Sequence, residues 1–164
     1  MKRVSVEEAW KRKYPEPVVL SVSVDAEGKA NIIALGWCMP TSFEPPMMAI
    51  SVGKTRFSHQ LICESREFVV AFPSEDMAKE VLYCGTHSGR EVDKFKETGL
   101  VAVPAKKVRP PLIEGCVANF ECRVVEEIET GDHTIFVGEV VAAHVSEQKK
   151  RRLHNLGNYK LAGV

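Results

Sequence analysis

A short turn rich in cationic and hydroxyl side chains is the part of the sequence with the clearest capacity for binding chemistry. Four such residues stand at the predicted start of a helix over residues 58–65: Lys54, Thr55, Arg56 and Ser58. The first amides of a helix have no acceptor inside the helix, and the helix dipole favours negative charge at that end. This turn, which opens at Gly53, therefore predicts a phosphate site.

The plain alternative for this turn is an ordinary capped helix. A capping box needs Glu or Gln three positions after the capping hydroxyl, where its side chain reaches back to the cap. Thr55 is followed at that spacing by Ser58, so both hydroxyl groups remain available to a ligand.

The residues before this turn predict a second element of the same site. Residues 36–46 are expected to form a long irregular loop, which ends at Pro45 and Pro46 because proline cannot donate to a β-ladder. A short apolar strand at 47–52 then joins the loop to the phosphate turn. A loop and a phosphate turn joined by one strand are suited to hold the two ends of a ligand with a flat ring and a phosphate tail.

Composition limits the class of partner. The 164 residues are expected to form one domain spanning 1–164, and 22 basic residues balance 22 acidic ones. Zero net charge gives no overall field that would attract nucleic acid or an anionic membrane. No apolar run approaches the roughly 20 residues that span a bilayer, and the first residues lack the apolar centre of a signal peptide. We therefore expect a soluble, cytoplasmic protein.

The cysteines and histidines do not predict a metal site. The five cysteines form no C-x-x-C pair, and no H-E-x-x-H motif is present among the five histidines. Free, partly buried thiols are therefore the expected state of the cysteines.

Hydrophobic patterning predicts a mainly β fold with short helices. About six strands, mostly antiparallel, are expected with two or three helices, and the tail from residue 153 offers few core residues. Because the strands do not alternate regularly with helices, an antiparallel barrel with helices at its rim fits better than a doubly wound sheet. The six clear strands are 18–24, 30–35, 47–52, 67–72, 116–128 and 133–145, with a weak strand at 100–103. The three main helices are 5–12, 58–65 and 74–83, with a short helical segment near 92–95.

Four motifs in order resemble the flavin reductase and flavoredoxin family. They are the T-S-F-E-P-P end of the segment at 41–46, the G-K-T-R-x-S turn at 53–58, the S-G-R-E-V-D-K-F segment at 88–95, and G-D-H-T-x-x-x-G-E-V at 131–140. Each motif alone is weak, but their order over residues 15–145 is specific. The resemblance implies an FMN-binding split β-barrel and a homodimer with FMN near the subunit interface. It also implies reduction of the flavin by NADH or NADPH as a transient co-substrate in many members.

The resemblance also implies roles for individual residues. The flavin ring would meet main-chain groups of the first segment, and the phosphate would meet the turn and Lys94. His133 corresponds to a position on the nicotinamide side of the cleft, and Tyr159 is a candidate for covering the ring. The expected cofactor-binding residues are Trp37, Cys38, Met39, Pro40, Thr41, Ser42, Gly53, Lys54, Thr55, Arg56, Ser58 and Lys94.

Several of these residues have simpler interpretations. Trp37 and Phe43 also suit a core or a dimer interface, and for Phe43 we favour that role. Cys38 is better explained as a small residue beside the flavin than as a redox thiol, because no partner cysteine lies nearby in sequence. His133 is about as well explained by a strand-edge turn as by catalysis.

The expected function is that of an NAD(P)H-dependent flavin reductase that passes electrons through FMN to an acceptor. No G-x-G-x-x-G follows a predicted strand, so a nicotinamide nucleotide would dock only transiently in the flavin cleft. One alternative is a flavoredoxin-type FMN carrier that receives electrons from a redox protein partner without direct NAD(P)H use. The other is a small barrel that binds nucleic acid or a protein without flavin, which the zero net charge and 7% aromatic content disfavour.

Overall fold

A seven-stranded antiparallel sheet forms the centre of the computed structural model, which describes residues 1–163. Its strand order is β3-β2-β6-β9-β10-β5-β4, so β3 and β4 are its two edges. The strands are β1 (Glu16–Pro17), β2 (Val19–Val24), β3 (Ala30–Leu35), β4 (Cys38–Phe43), β5 (Pro46–Gly53), β6 (Glu67–Phe72), β7 (Ala102–Val103), β8 (Leu112–Ile113), β9 (Ala118–Thr130), β10 (His133–Val145), β11 (Leu153–Asn155) and β12 (Leu161–Gly163). The helices are α1 (Val6–Trp10), α2 (Phe57–Ser65), α3 (Ala78–Thr86) and α4 (Lys94–Thr98), and a 3₁₀ turn (Glu75–Met77) precedes α3.

The long hairpin of β9 and β10 organises the sheet. Both strands alternate apolar and polar residues as the sequence predicted, and they pair from His133 opposite Thr130 to Val145 opposite Ala118, with two bulges. Strand β10 also pairs with β5, and β9 pairs with β6, so the hairpin joins the two halves of the sheet. Position 138 on β10 requires glycine, because a Cβ there would lie only 2.6 Å from Phe68 Cζ and would clash with it.

The core has two parts, one on each face of the sheet. Alternate residues of β2 divide between them, because successive side chains of a strand point to opposite faces. Leu20 and Ile32 pack with α3 and the tail in the first part, whereas Phe68 and Phe136 pack with α2 in the second. Helices α3 and α2 therefore each cover one apolar face of the sheet.

The mainly β, antiparallel fold is confirmed, but two predicted segments differ from the structure. The predicted loop at 36–46 is instead an edge strand, β4, which pairs with β5 and carries a bulge between Pro40 and Ser42. The tail is more ordered than expected, because β11 and β12 form a three-stranded sheet with β1, and Leu153 is fully buried. Helix α3 continues through Gly85 and ends at Thr86.

No helix within residues 1–163 combines the length and the apolar composition needed to cross a membrane.

Candidate functional site

A cavity of about 440 Å³ opens between the two ends of the sheet. Strand β3 forms one wall through Asn31 and Leu35, and β5 forms the other through Ser51 and Gly53. The start of α2 and the loop after α3 close the remaining sides. In the part of the chain that the structure describes, no β-ladder hydrogen bonds join β3 to β5. This cavity, called the first cavity below, lies in the gap between these two strands.

A buried lysine marks one end of the first cavity. Lys94 is only 4% exposed, and its Nζ donates to the carbonyl oxygens of Ile32 at 2.7 Å and Cys84 at 2.8 Å. Within residues 1–163 it forms no salt bridge. Burial, with a smaller contribution from the charge of Arg56, lowers the pKa of Lys94. A buried ammonium group without an anion is costly, so an anionic ligand would stabilise it.

The first turn of α2 lies at the same end. Arg56 is the N-cap, but its side chain makes no capping bond, and the amides of Phe57 and Ser58 donate to no acceptor among the described residues. Ser58 is buried, and its Oγ accepts a hydrogen bond of 2.7 Å from Asn31 Nδ2. The helix start therefore presents free donors to the cavity, as the sequence predicted.

Asn31 is a site residue that the sequence reasoning missed. It is 5% exposed and lines the cavity, and its Oδ1 has no hydrogen-bond partner within residues 1–163. Gly89 lies directly against this amide, because a Cβ there would be 1.9 Å from Oδ1. A buried polar atom without a partner is rare, and a ligand group is one way to satisfy it. The available signal was a single amide in the apolar strand β3.

Arg90 covers the outer side of this end. Its Nη1 donates to the Thr55 carbonyl oxygen at 3.3 Å, its Nη2 lies 3.5 Å from Gln60 Oε1, and its guanidinium stacks over the Phe57 ring at 5.0 Å. With Arg56 and Lys94, it places three cationic residues around one end of the cavity. That arrangement suits a terminal phosphate group.

The end of the cavity at Gly36 and Trp37 is aromatic, and it approaches the cationic residues at Gly53, beside which both Arg56 and His133 lie. The ring centroids of Trp37 and His133 lie 4.8 Å apart, and Trp10 packs edge-on against Trp37. His133 Nδ1 lies 2.7 Å from Asp132 Oδ1, and this contact lowers the pKa of Asp132. Glu16 lies so close to Gly36 that a Cβ there would be 2.8 Å from its Oε1. A planar ring suits this end, and the two ends together suit a ring with an anionic tail.

The structure brings together only part of the predicted site. Seven predicted residues line the first cavity, namely Trp37, Gly53, Thr55, Arg56, Ser58, Lys94 and His133. The side chain of Lys54 instead forms a salt bridge of 3.2 Å with Glu129. The remaining predicted residues are on β4 and do not line this cavity: Cys38, Met39, Pro40, Thr41 and Ser42. Burial raises the pKa of the Cys38 thiol to about 11, which agrees with its interpretation as an inert side chain.

Comparisons with known proteins agree with this geometry. A sequence profile for the family described as "Flavin reductase like domain" matches residues 11–162. The chain is similar to flavoredoxin from Methanosarcina acetivorans, with 34% identity and a TM-score of 0.85, over 100% of this chain and 92% of that one. It is also similar to an FMN-binding protein from Thermus thermophilus, with 26% identity and a TM-score of 0.88, over 99% and 94% of the two chains. An NADH-dependent FAD reductase from Streptomyces globisporus is 32% identical over 120 residues, which are 73% of this chain and 65% of that protein.

Proposed function

Because the chain belongs to the flavin reductase-like domain family, we propose that it binds FMN in the first cavity and acts as an NAD(P)H-dependent flavin reductase. The observation that carries the FMN proposal is a group of hydrogen-bond donors in the cavity that have no anionic partner. Lys94 is buried there without a salt bridge in residues 1–163, beside the free amides at the start of α2 and the Ser58 hydroxyl, whose oxygen accepts from Asn31 Nδ2. A phosphate monoester would accept hydrogen bonds from the ammonium group, these amides and this hydroxyl, whereas Asn31 Oδ1 would need a donor such as a ribityl hydroxyl.

The residues of the first cavity fit both ends of FMN. Arg56, Arg90 and Lys94 would neutralise the phosphate, and the Ser58 hydroxyl, held by Asn31 Nδ2, would donate to one of its oxygens. Trp37 and His133, whose ring centroids are 4.8 Å apart, would pack against the flavin ring. The volume of about 440 Å³ lies within the usual range for a small-molecule site.

The protein contributes position and electrostatics rather than an acid or base. Bound FMN supplies a flavin that accepts a hydride at N5 and passes electrons on. With FMN bound, the cationic side chains of the cavity would hold its phosphate and Trp37 would pack against its ring. His133 Nδ1–H donates to Asp132 Oδ1 at 2.7 Å, which leaves Nε2 of the neutral tautomer as a hydrogen-bond acceptor beside Gly53 in the cavity wall.

Direct use of NAD(P)H is supported by one relative and left open by another. A Streptomyces globisporus relative is an NADH-dependent FAD reductase, whereas a Methanosarcina acetivorans relative is a flavoredoxin. The alternative function is therefore an FMN electron carrier that receives electrons from a redox protein. Anaerobic mixing of the FMN-loaded protein with NADH or NADPH separates the two functions. Rapid loss of flavin colour is expected; a flavin that stays oxidised with both nucleotides but is reduced by dithionite would favour the carrier.

We further propose a homodimer in which β4 contributes to the interface beside each FMN. Strand β4 is an unpaired edge of the sheet and exposes two large apolar side chains, Phe43 at 96% and Met39 at 57%. Such an edge favours association with a second chain. In that arrangement the main-chain groups of Met39–Ser42 would approach the ring end of the cavity, in the role that the sequence predicted for them.

A further inference from the structure

A second cavity, of about 420 Å³, opens beside the ring end of the first. It lies between α3 and the tail sheet, and its apolar wall includes Val18, Leu82 and Leu161. The two cavities share five lining residues, namely Ala34, Leu35, Gly36, Gly85 and Thr86. Residues 34–36 lead directly to Trp37, and Gly85 and Thr86 follow Cys84, whose carbonyl oxygen accepts from Lys94, so the second cavity meets the first along the ends of β3 and α3.

The lining of the second cavity is uncharged. Among the described residues that line it, none carries a carboxylate, ammonium or guanidinium group, in contrast to the three cations of the first cavity. Tyr14 and Tyr159 stand at its edge, and Asn155 and Asn158 supply amide groups. Apolar walls, two aromatic rings and a few amides suit an uncharged planar molecule.

The turn that presents Tyr159 is held in a strained conformation. Gly157, Asn158 and Tyr159 have consecutive φ values of 86°, 51° and 59°. A positive φ is unusual for a bulky residue and persists only where the surrounding structure holds it. Hydrogen bonds from Leu156 N to Lys160 O at 2.8 Å and from Lys160 N to Gly157 O at 3.0 Å close the turn. The sequence predicts that Tyr159 covers the flavin ring, which would lie in the first cavity. Tyr159 is instead 80% exposed and lies at the edge of the second cavity.

The second cavity offers no charge that would hold an anionic occupant. The Glu16 carboxylate packs against Gly36, where the cavities meet, and its charge is paired with that of Lys13. The three cations line the first cavity and not the second. The second cavity is therefore poorly suited to the adenosine diphosphate part of a dinucleotide.

We propose that the second cavity binds the electron acceptor, and that this acceptor is an uncharged planar carbonyl compound of the quinone class. The proposal rests on the flavin reductase function proposed above. A hydride, which is two electrons and one proton, passes from the reduced flavin to the quinone, and water supplies the second proton. The products are a hydroquinone and the oxidised flavin, which NAD(P)H reduces again.

The test compares two acceptors of different chemistry. Menadione, an uncharged naphthoquinone, represents the proposed class. Ferricyanide is a polyanion and is not expected to bind in an apolar cavity. The FMN of the protein is first reduced with dithionite, so that the measurement does not depend on NAD(P)H. Stopped-flow absorbance then gives the rate constant of flavin reoxidation by each acceptor.

Leu82→Trp is the informative variant because Leu82 lines only the second cavity and is 38% exposed, so a larger side chain fills the cavity with little strain on the core. We expect its rate constant with menadione to fall about tenfold or more, while that with ferricyanide stays within about twofold of the wild type. Val101→Trp, at an exposed valine outside both cavities, is the matched control and is expected to change neither rate.

An unchanged menadione rate in Leu82→Trp, or an equal loss with both acceptors, would overturn the proposal. Calorimetric titration of the flavin-free protein with menadione tests the second cavity without any redox step, and the wild type is expected to bind more tightly than Leu82→Trp. Failure to bind FMN would refute the proposed function, whereas menadione binding that is insensitive to Leu82→Trp would refute only the second cavity.

Discussion

At the scale of single residues, Lys94 is the clearest feature of the proposed phosphate site, because the fold buries its ammonium group. The sequence suggested that Lys94 reaches the phosphate, but not that it would be buried against two main-chain carbonyl oxygens, 2.7 Å and 2.8 Å from its Nζ. That burial could not be predicted, because it depends on α4 packing near β3, and these elements are distant in the chain. The same limit applies to Asn31, whose partner Ser58 comes from a different element.

The lowered pKa of Lys94 makes a prediction about pH. Only the protonated amine balances a phosphate, so FMN affinity is expected to fall as pH rises through the lowered pKa, which lies below the ordinary lysine value of 10.5. Fluorescence titrations across pH measure this dependence, with riboflavin as the control ligand because it has no phosphate. Lys94→Met is expected to bind FMN more weakly and to lose this pH dependence; a variant that retained the wild-type profile would exclude Lys94 as its source.

At the scale of elements, regular hydrophobic patterns predicted structure well and irregular ones did not. The first helix, predicted at 5–12 and capped by Ser5, and the hairpin of β9 and β10 follow local rules and are present in the structure. Strand β4 was missed because Pro40 and the bulge beside it interrupt the alternation that identifies a strand. Strands β11 and β12 were missed because they are short and depend on pairing with β1, which lies near the other end of the chain.

The exposed edge at β4 makes a prediction about assembly. Phe43→Glu places a charge where the proposed dimer buries an aromatic ring, so it is expected to shift the protein from dimer to monomer in sedimentation velocity. Val101→Glu, at an exposed valine remote in sequence from β4, serves as the control and should leave the sedimentation coefficient unchanged. A Phe43→Glu protein that sediments like the wild type would remove β4 from the proposed interface.

At the scale of the whole molecule, a buried carboxylate ties a long connection to the sheet. Glu121 on β9 is fully buried and accepts hydrogen bonds from the amides of Lys106, Lys107 and Val108, and its Oε1 lies 2.7 Å from His144 Nε2. Burial alone would raise the pKa of Glu121, but these donors outweigh burial and lower it. Pattern reading treated this glutamate only as one of the alternating residues of a strand, because its donors come from a connection without regular structure.

Glu121 is therefore expected to be important for stability. Glu121→Ala leaves several buried donors without an acceptor and should lower the free energy of unfolding by about 3 kcal/mol, measured by urea denaturation at neutral pH. Because the folded pKa is below the ordinary value of 4.5, the contribution of this carboxylate is present above pH 4.5 and is lost as pH falls through the folded pKa. Glu126→Gln, on the exposed part of the same strand, is the control, and an equal effect of both changes would contradict this role.

The central claim is that the start of α2 and Lys94 bind the phosphate of FMN, and the most direct measurement is a comparison of FMN with riboflavin. Fluorescence titration of the flavin-free protein with each ligand is carried out for the wild type and for the double variant Arg56→Ala, Ser58→Ala. The account predicts that the wild type prefers FMN, and that the double variant loses about tenfold or more in FMN affinity while riboflavin affinity changes little. Equal losses for both ligands, or a wild type that binds them equally well, would contradict the account.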